Sequence, residues 1–155
     1  RKTKAAVTGA TTTGPVPRSN RDLVAACEKG DVEMVKTLLA KEGVQVNERD
    51  RGVSALYVAC LDGHVEVVRL LLGVEGIDVN SADKNGATCL YQACNLGHLE
   101  VVRVLLEMEL LEIGKGLDEF CSYTPLKIAE ERGYKEIVSL LVAVVAGDSE
   151  ELELH

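Results

Sequence analysis

Four stretches of this 155-residue chain can be written one above another: LVAACEKGDVEMVKTLL from Leu23, LYVACLDGHVEVVRLLL from Leu56, LYQACNLGHLEVVRVLL from Leu90 and LKIAEERGYKEIVSLLV from Leu126. Their leading leucines stand 33, 34 and 36 residues apart. Three further registers hold throughout: Ala26, Ala59, Ala93 and Ala129; Gly30, Gly63, Gly97 and Gly133; Val35, Val68, Val102 and Val138. A period of this length describes one supersecondary unit used repeatedly, each copy burying its apolar face on its neighbours. That excludes folds organised around a single central core.

Each copy predicts two short helices. The first carries small residues that allow close packing, as in Leu56, Ala59 and Cys60, and it ends at a glycine able to take the left-handed conformation. The second shows Val68, Leu71 and Leu72 at the i, i+3, i+4 spacing of one apolar face. Neither is long enough to persist alone, so stacking must supply the stability. Between copies lie turn signals: Asn47 to Gly52 reads NERDRG and Asn80 to Gly86 reads NSADKNG, where Asn and Gly tolerate positive φ. The first of these turns is one residue shorter. Val44, Val46, Ile77 and Val79 alternate ahead of them as short extended segments do.

Composition agrees with such a stack. Aromatic residues are only 3% of the chain, four Tyr and one Phe with no Trp, so the seam is built from Leu, Val, Ala and Cys. At about 25 cal/mol per Å² of apolar area, many modest burials suffice. Arg1, Lys2, Lys4 and Arg18 take four of the 17 basic residues and none of the 25 acids. The remainder therefore holds 13 bases against 25 acids. An acidic body of this kind repels phosphate backbones, so the repeat body is not expected to bind nucleic acid. No stretch approaches the ~20 apolar residues of a membrane span. Residues 1–20, rich in Thr, Ala and Gly with Pro15 and Pro17, are expected as a flexible basic tail, 21–146 as the repeat domain and 147–155 as a frayed acidic tail. Within the domain the units run about 21–50, 51–83, 84–118 and 119–146.

At the level of motif the copies resemble ankyrin repeats. The family pattern is a turn, a Thr-Pro-Leu-His-x-Ala-Ala opening, then Gly-His-x-Glu-Val-Val and a Leu-Leu ending. Here it stands as Gly86-Ala87-Thr88-Cys89-Leu90-Tyr91-Gln92-Ala93-Cys94, then Gly97-His98-Leu99-Glu100-Val101-Val102, then Leu105-Leu106. The fourth copy keeps Thr124-Pro125-Leu126. The copies depart from the family in three ways: Tyr57, Tyr91 and Lys127 replace the His, Ala55 and Cys89 replace the Pro, and the connector from Glu107 to Tyr123 is longer, without an Asp-Val-Asn signature. The resemblance implies an all-α solenoid of stacked helix pairs joined by hairpin-like turns. It also implies a non-enzymatic protein-interaction module that uses its hairpin tips and concave groove. The partner does not follow from the fold.

On that resemblance the candidate partner-binding residues are Arg51, Val53, Tyr57, Leu61 and Asp62 in the second copy; Lys84, Asn85, Ala87, Tyr91, Asn95 and Leu96 in the third; and Phe120, Tyr123, Glu131 and Arg132 in the fourth. They predict a contact with an apolar centre and a polar rim. Tyr57 and Tyr91 have two readings: groove anchors, or phenols making hydrogen bonds between repeats in place of the family's histidine. Phe120 and Tyr123 either anchor a partner or pack the longer connector.

Other motifs read as structural. Cys27, Cys60 and Cys94 recur in one register, as small packing residues do, and equivalent side chains ~10 Å apart are too far for a disulfide. Cys89 or Cys121, near turns, could be an exposed thiol. His64-Val65-Glu66 and His98-Leu99-Glu100 match a fragment of a zinc-deaminase motif without its Pro-Cys-x-x-Cys partner, so a turn or capping role is expected. No constellation of nucleophile, base and orienting group is visible, and neither catalysis nor a cofactor or metal is expected. Five cysteines cannot all pair, and no apolar leader is seen, so reduced thiols in the cytoplasm or nucleus are the expectation. Finally, Leu140 to Ala146 is apolar all round, which suggests self-association, further repeats or a spacer role through the C-terminal end.

Overall fold

The computed structural model describes residues 21–114 and 124–154, with side chains as far as Ala146. Phe120, Cys121, Tyr123 and the basic segment 1–20 lie outside the described residues. Eight helices appear among those described: α1 Arg21–Lys29, α2 Val32–Leu39, α3 Ala55–Asp62, α4 Val65–Leu72, α5 Cys89–Leu96, α6 Leu99–Leu106, α7 Pro125–Arg132 and α8 Lys135–Leu154. They form four antiparallel pairs. The first helices α1, α3, α5 and α7 pack side by side in one layer, and α2, α4, α6 and α8 make the second. No strand is present among the described residues, only isolated antiparallel bridges Asp50–Val53 and Ala82–Thr88 at the turns between pairs.

Local chemistry delimits each helix. Ser54, Thr88 and Thr124 precede α3, α5 and α7, and their hydroxyls accept from the backbone N–H of Tyr57, Tyr91 and Lys127, satisfying a donor that the first helical turn leaves open. Gly63, Gly97 and Gly133 end those helices in the left-handed conformation, with φ between 74° and 79°. The two described turns differ as their lengths require. In Asp50-Arg51-Gly52-Val53 the backbones of Asp50 and Val53 exchange hydrogen bonds of 2.9 and 3.1 Å, and Arg51 and Gly52 both have positive φ, the signature of a type I′ turn. The longer turn needs positive φ only at Gly86, not at Asn85, because the Asp83 carboxylate accepts from the N–H of Asn85 and Ala87 at 2.8 and 3.0 Å.

The seam is continuous. Val35, Val68 and Val102, together with Cys27, Cys60 and Cys94, are fully buried where successive pairs meet. Two ladders hold the pairs in register. The Asn47 amide grips the next connector, donating to Gly76 O and accepting from Asp78 N, both at 2.8 Å. Asn80 repeats this on Leu110 O and Glu112 N at 2.8 and 2.7 Å. The ladder stops at Gly114, which follows Asn80 by one repeat period and has no side chain.

The second ladder decides between the two roles expected of the histidines, turn or cap: both stand at the inter-helix turn. His64 and His98 make no side-chain cap bond. Their rings lie over the helix-ending glycine of the preceding pair, so that a Cβ on Gly30 or Gly63 would come within 2.7 Å of the ring Nδ1. Nε2 of each points at a backbone carbonyl, Glu28 O at 2.9 Å and Leu61 O at 3.0 Å. A carbonyl only accepts, so both imidazoles carry their proton on Nε2. Tyr134 covers Gly97 in the same way, 2.8 Å from where a Cβ would stand.

The helical backbone of α8 runs on through 147–154 to Leu154, past Val142, which is the counterpart of the last residues of α4 and α6. None of the helices among the described residues is long and apolar enough to cross a membrane.

Candidate partner-binding face

The outer surface of the first-helix layer is crossed by a chain of side-chain hydrogen bonds. The Tyr57 hydroxyl donates to Asp83 Oδ2 at 2.7 Å and accepts from Gln92 Nε2 at 3.1 Å. Gln92 Oε1 in turn accepts from Asn95 Nδ2 at 3.2 Å, and Asn95 Oδ1 accepts from Arg132 Nε at 3.0 Å. Five side chains from the second, third and fourth copies are thereby tied together, from a turn to the far end of α7. Three of the four bonds join residues 26 to 37 apart in sequence, with only Gln92–Asn95 lying within one helix, which is why the spacing within a copy does not show the line.

Beside this line the surface is apolar at Leu96, which is 44% exposed, and at the half-buried Leu61. Asp62, Glu131 and Arg132 are exposed around them, and Arg51, Lys84 and Asn85 are exposed at the turns. Val53 and Asn95 are half-buried. Three candidates are removed from any contact surface. Tyr57, Tyr91 and Ala87 are 4%, 6% and 1% exposed and belong to the core. Tyr57 takes the second of its two readings, as a hydrogen-bonding phenol between repeats. Burial, then its bond to Asp83, raises its pKa above the ordinary phenol value. Phe120 and Tyr123 lie outside the described residues. The sequence reading missed Gln92, which links Tyr57 to Asn95; its signal was a polar residue where the second copy has the buried Val58.

Electrostatics distinguish the two layers. On the second helices Glu33 pairs with Lys36, Glu66 with Arg69 and Glu100 with Arg103, each three residues apart and exposed. Such pairs contribute little stability and largely neutralise their own layer. At the first turn Arg51 instead reaches out of its repeat, to Glu28 at 3.7 Å as well as to Asp50 at 3.1 Å.

The thiols belong to the packing. Burial raises the pKa of Cys27 and of Cys94 from 9.0 to about 12. Cys60 is raised as well, by burial first and then by its hydrogen bond with Cys89. Cys89 is not an exposed turn thiol: it is fully buried, and its Sγ lies 3.4 Å from Ser81 O. Its exposure could not be read from the turn beside it because it is the first residue of α5, pointing into the seam. Among the described residues no group of three or more His, Cys, Asp or Glu is placed to hold a metal.

Comparison with known proteins agrees with this architecture. The family model "Ankyrin repeats (3 copies)" matches residues 23–116 and again 74–151. No curated protein gives a significant match. Ankyrin repeats are in general modules that bind other proteins. With four stacked helix pairs and a family match across most of its length, the chain belongs to the ankyrin repeat family.

Proposed function

We propose that the chain is a non-enzymatic protein-binding module whose contact surface is the first-helix face and its turns, centred on Leu61 and Leu96 and rimmed by Arg51, Asp62, Lys84, Asn85, Asn95, Glu131 and Arg132. The observation that carries this reading is the hydrogen-bonded line from Asp83 to Arg132. It fixes the side chains of Gln92 and Asn95 before any partner arrives, so less conformational entropy is lost on binding. An exposed leucine beside fixed polar groups is the arrangement of an interface with an apolar centre and a polar rim. Val53, half-buried and bonded through its backbone to Asp50, supports the turn and touches a partner only at its edge. The buried Tyr57, Tyr91 and Ala87 act from beneath.

The test is affinity capture with the intact chain, with Leu96→Glu and with the second-layer control Arg69→Ala, followed by titration of whatever protein is recovered. Loss of capture by Leu96→Glu with retention by Arg69→Ala is the expected result. Equal loss in both variants sinks the assignment of the face.

A further inference from the structure

At the C-terminal end of the stack, a site that is filled three times within the molecule stands open. Gly30, Gly63 and Gly97 each receive a ring from the following pair, His64, His98 and Tyr134. Gly133 has the same left-handed backbone, with φ 79°, yet nothing among the described residues stands within 4 Å of the position a Cβ would take. The seam is open alongside it. Val35, Val68 and Val102 are fully buried by the pair that follows them, whereas Val138 in the same register is only half-buried. Val142 and Val145 are 49% and 59% exposed. Together these make a socket with a known shape: a left-handed glycine, the Glu131 carbonyl as counterpart of the Glu28 and Leu61 carbonyls, and an apolar helix flank.

The three filled copies give the chemistry of the group that covers it, and two observations narrow its source. The chain does not cross its own end over the described residues, because α8 continues to Leu154 where α4 and α6 give way to a connector after Leu72 and Leu106. Nor does a second copy fit head to tail. The first pair carries Asp31 where the others carry His64, His98 and Tyr134. A carboxylate and the Glu131 carbonyl are both acceptors, and docking would desolvate the charge with no donor opposite it. Asp31 already serves its own helix, accepting from Met34 N at 3.1 Å.

We propose that this end is a docking site for a second protein's repeat-type helical hairpin, one that carries a histidine or tyrosine at the start of its second helix, and that Asp31 keeps the chain's own opposite end out of the site. The ring stacks on Gly133, and the partner's apolar flank covers Val138, Val142 and Val145. This surface meets the first-helix face only around Glu131 and is centred on Gly133 and α8 rather than on Leu61 and Leu96, so either assignment can fail without the other.

The probe is the full chain carrying Asp31→His and Val145→Glu, with a ring at its head and a charge at its tail so that it cannot stack on itself. Histidine is tolerated at that position, since His64 and His98 begin α4 and α6 without a cap bond. A thermal melt confirms that the probe is folded. Sedimentation of the intact chain with this probe is expected to give a one-to-one complex. The complex should be at least about tenfold weaker when the probe keeps Asp31, and equally weakened when the receiving chain carries Val142→Glu and Val145→Glu. No complex at about 100 µM overturns the proposal, as does binding that ignores Asp31→His. Self-association of the unaltered chain through Val145 overturns it too, by making a second copy the occupant.

Discussion

Glycines that look equivalent in sequence are unequal in the stack. Gly97 and Gly133 share a left-handed backbone, but only Gly97 lies beneath a ring. Alanine at Gly133 meets the left-handed strain alone, roughly 1–2 kcal/mol. Alanine at Gly97 must also displace Tyr134, adding about 1–3 kcal/mol of overpacking. Urea unfolding of the two variants should show the larger loss at Gly97. The buried thiols give a prediction in pH. For Cys27 and Cys94 the folded pKa, about 12, exceeds the unfolded value of 9.0. The folded state therefore holds its protons where the unfolded state releases them. Their contribution is complete below pH 9.0 and is lost as pH rises towards 12. The slope is up to about 1.4 kcal/mol per pH unit for each thiol. Urea midpoints measured under reducing conditions from about pH 8 to 11 should fall, and the double variant Cys27→Ala/Cys94→Ala should show a shallower fall.

Among the elements, the turns and connectors carry the register. Asn80→Ala removes both bonds that Asn80 makes to the Leu110–Glu112 connector, and a loss of about 1–3 kcal/mol is expected in chemical denaturation. Ser54→Ala strips the cap of α3 and leaves the buried Ser81 hydroxyl without the oxygen it meets, for a cost of similar size. A control at Thr37, an exposed hydroxyl bonded only within its own helix, should be nearly neutral. The helix pairs themselves were legible in the sequence because caps, glycines and apolar spacing are local. Leu56, Ala59, Gly63 and the Val68–Leu71–Leu72 face announce α3 and α4 within twenty residues. The candidate face was legible only in part. Leu61, Leu96 and the charged rim are exposed or half-buried, whereas Tyr57 and Tyr91, which read either as groove anchors or as phenols bonding between repeats, are buried. Their fate depends on Asp83, Gln92 and the neighbouring helix, contacts that cross from one copy to the next. The bond each histidine makes from the inter-helix turn was hidden for the same reason: the carbonyl it meets lies in the previous pair, over thirty residues earlier.

For the molecule as a whole, each pair is held by its neighbours, so the ends should loosen before the middle. The two ends are not alike. The fourth pair lacks the asparagine clamp, which ends at Gly114, and its seam is open at Val138. Amide exchange should therefore be fastest in α7 and α8 among the described helices, and slowest in α3 to α5. Uniform protection across the stack would contradict this picture. The ring-on-glycine contact also has an implication for how such a chain changes length. Every internal junction reads the same way, a glycine followed by a ring that closes on the glycine before it. Excising residues 64–97 would leave Gly63 joined directly to His98, with His98 now positioned over Gly30 and Tyr134 over Gly63. The splice recreates the parts it removes, so the number of layers is a free variable for recombination, while the two termini, Asp31 at one and the uncovered Gly133 at the other, are what distinguish a finished stack from an extendable one.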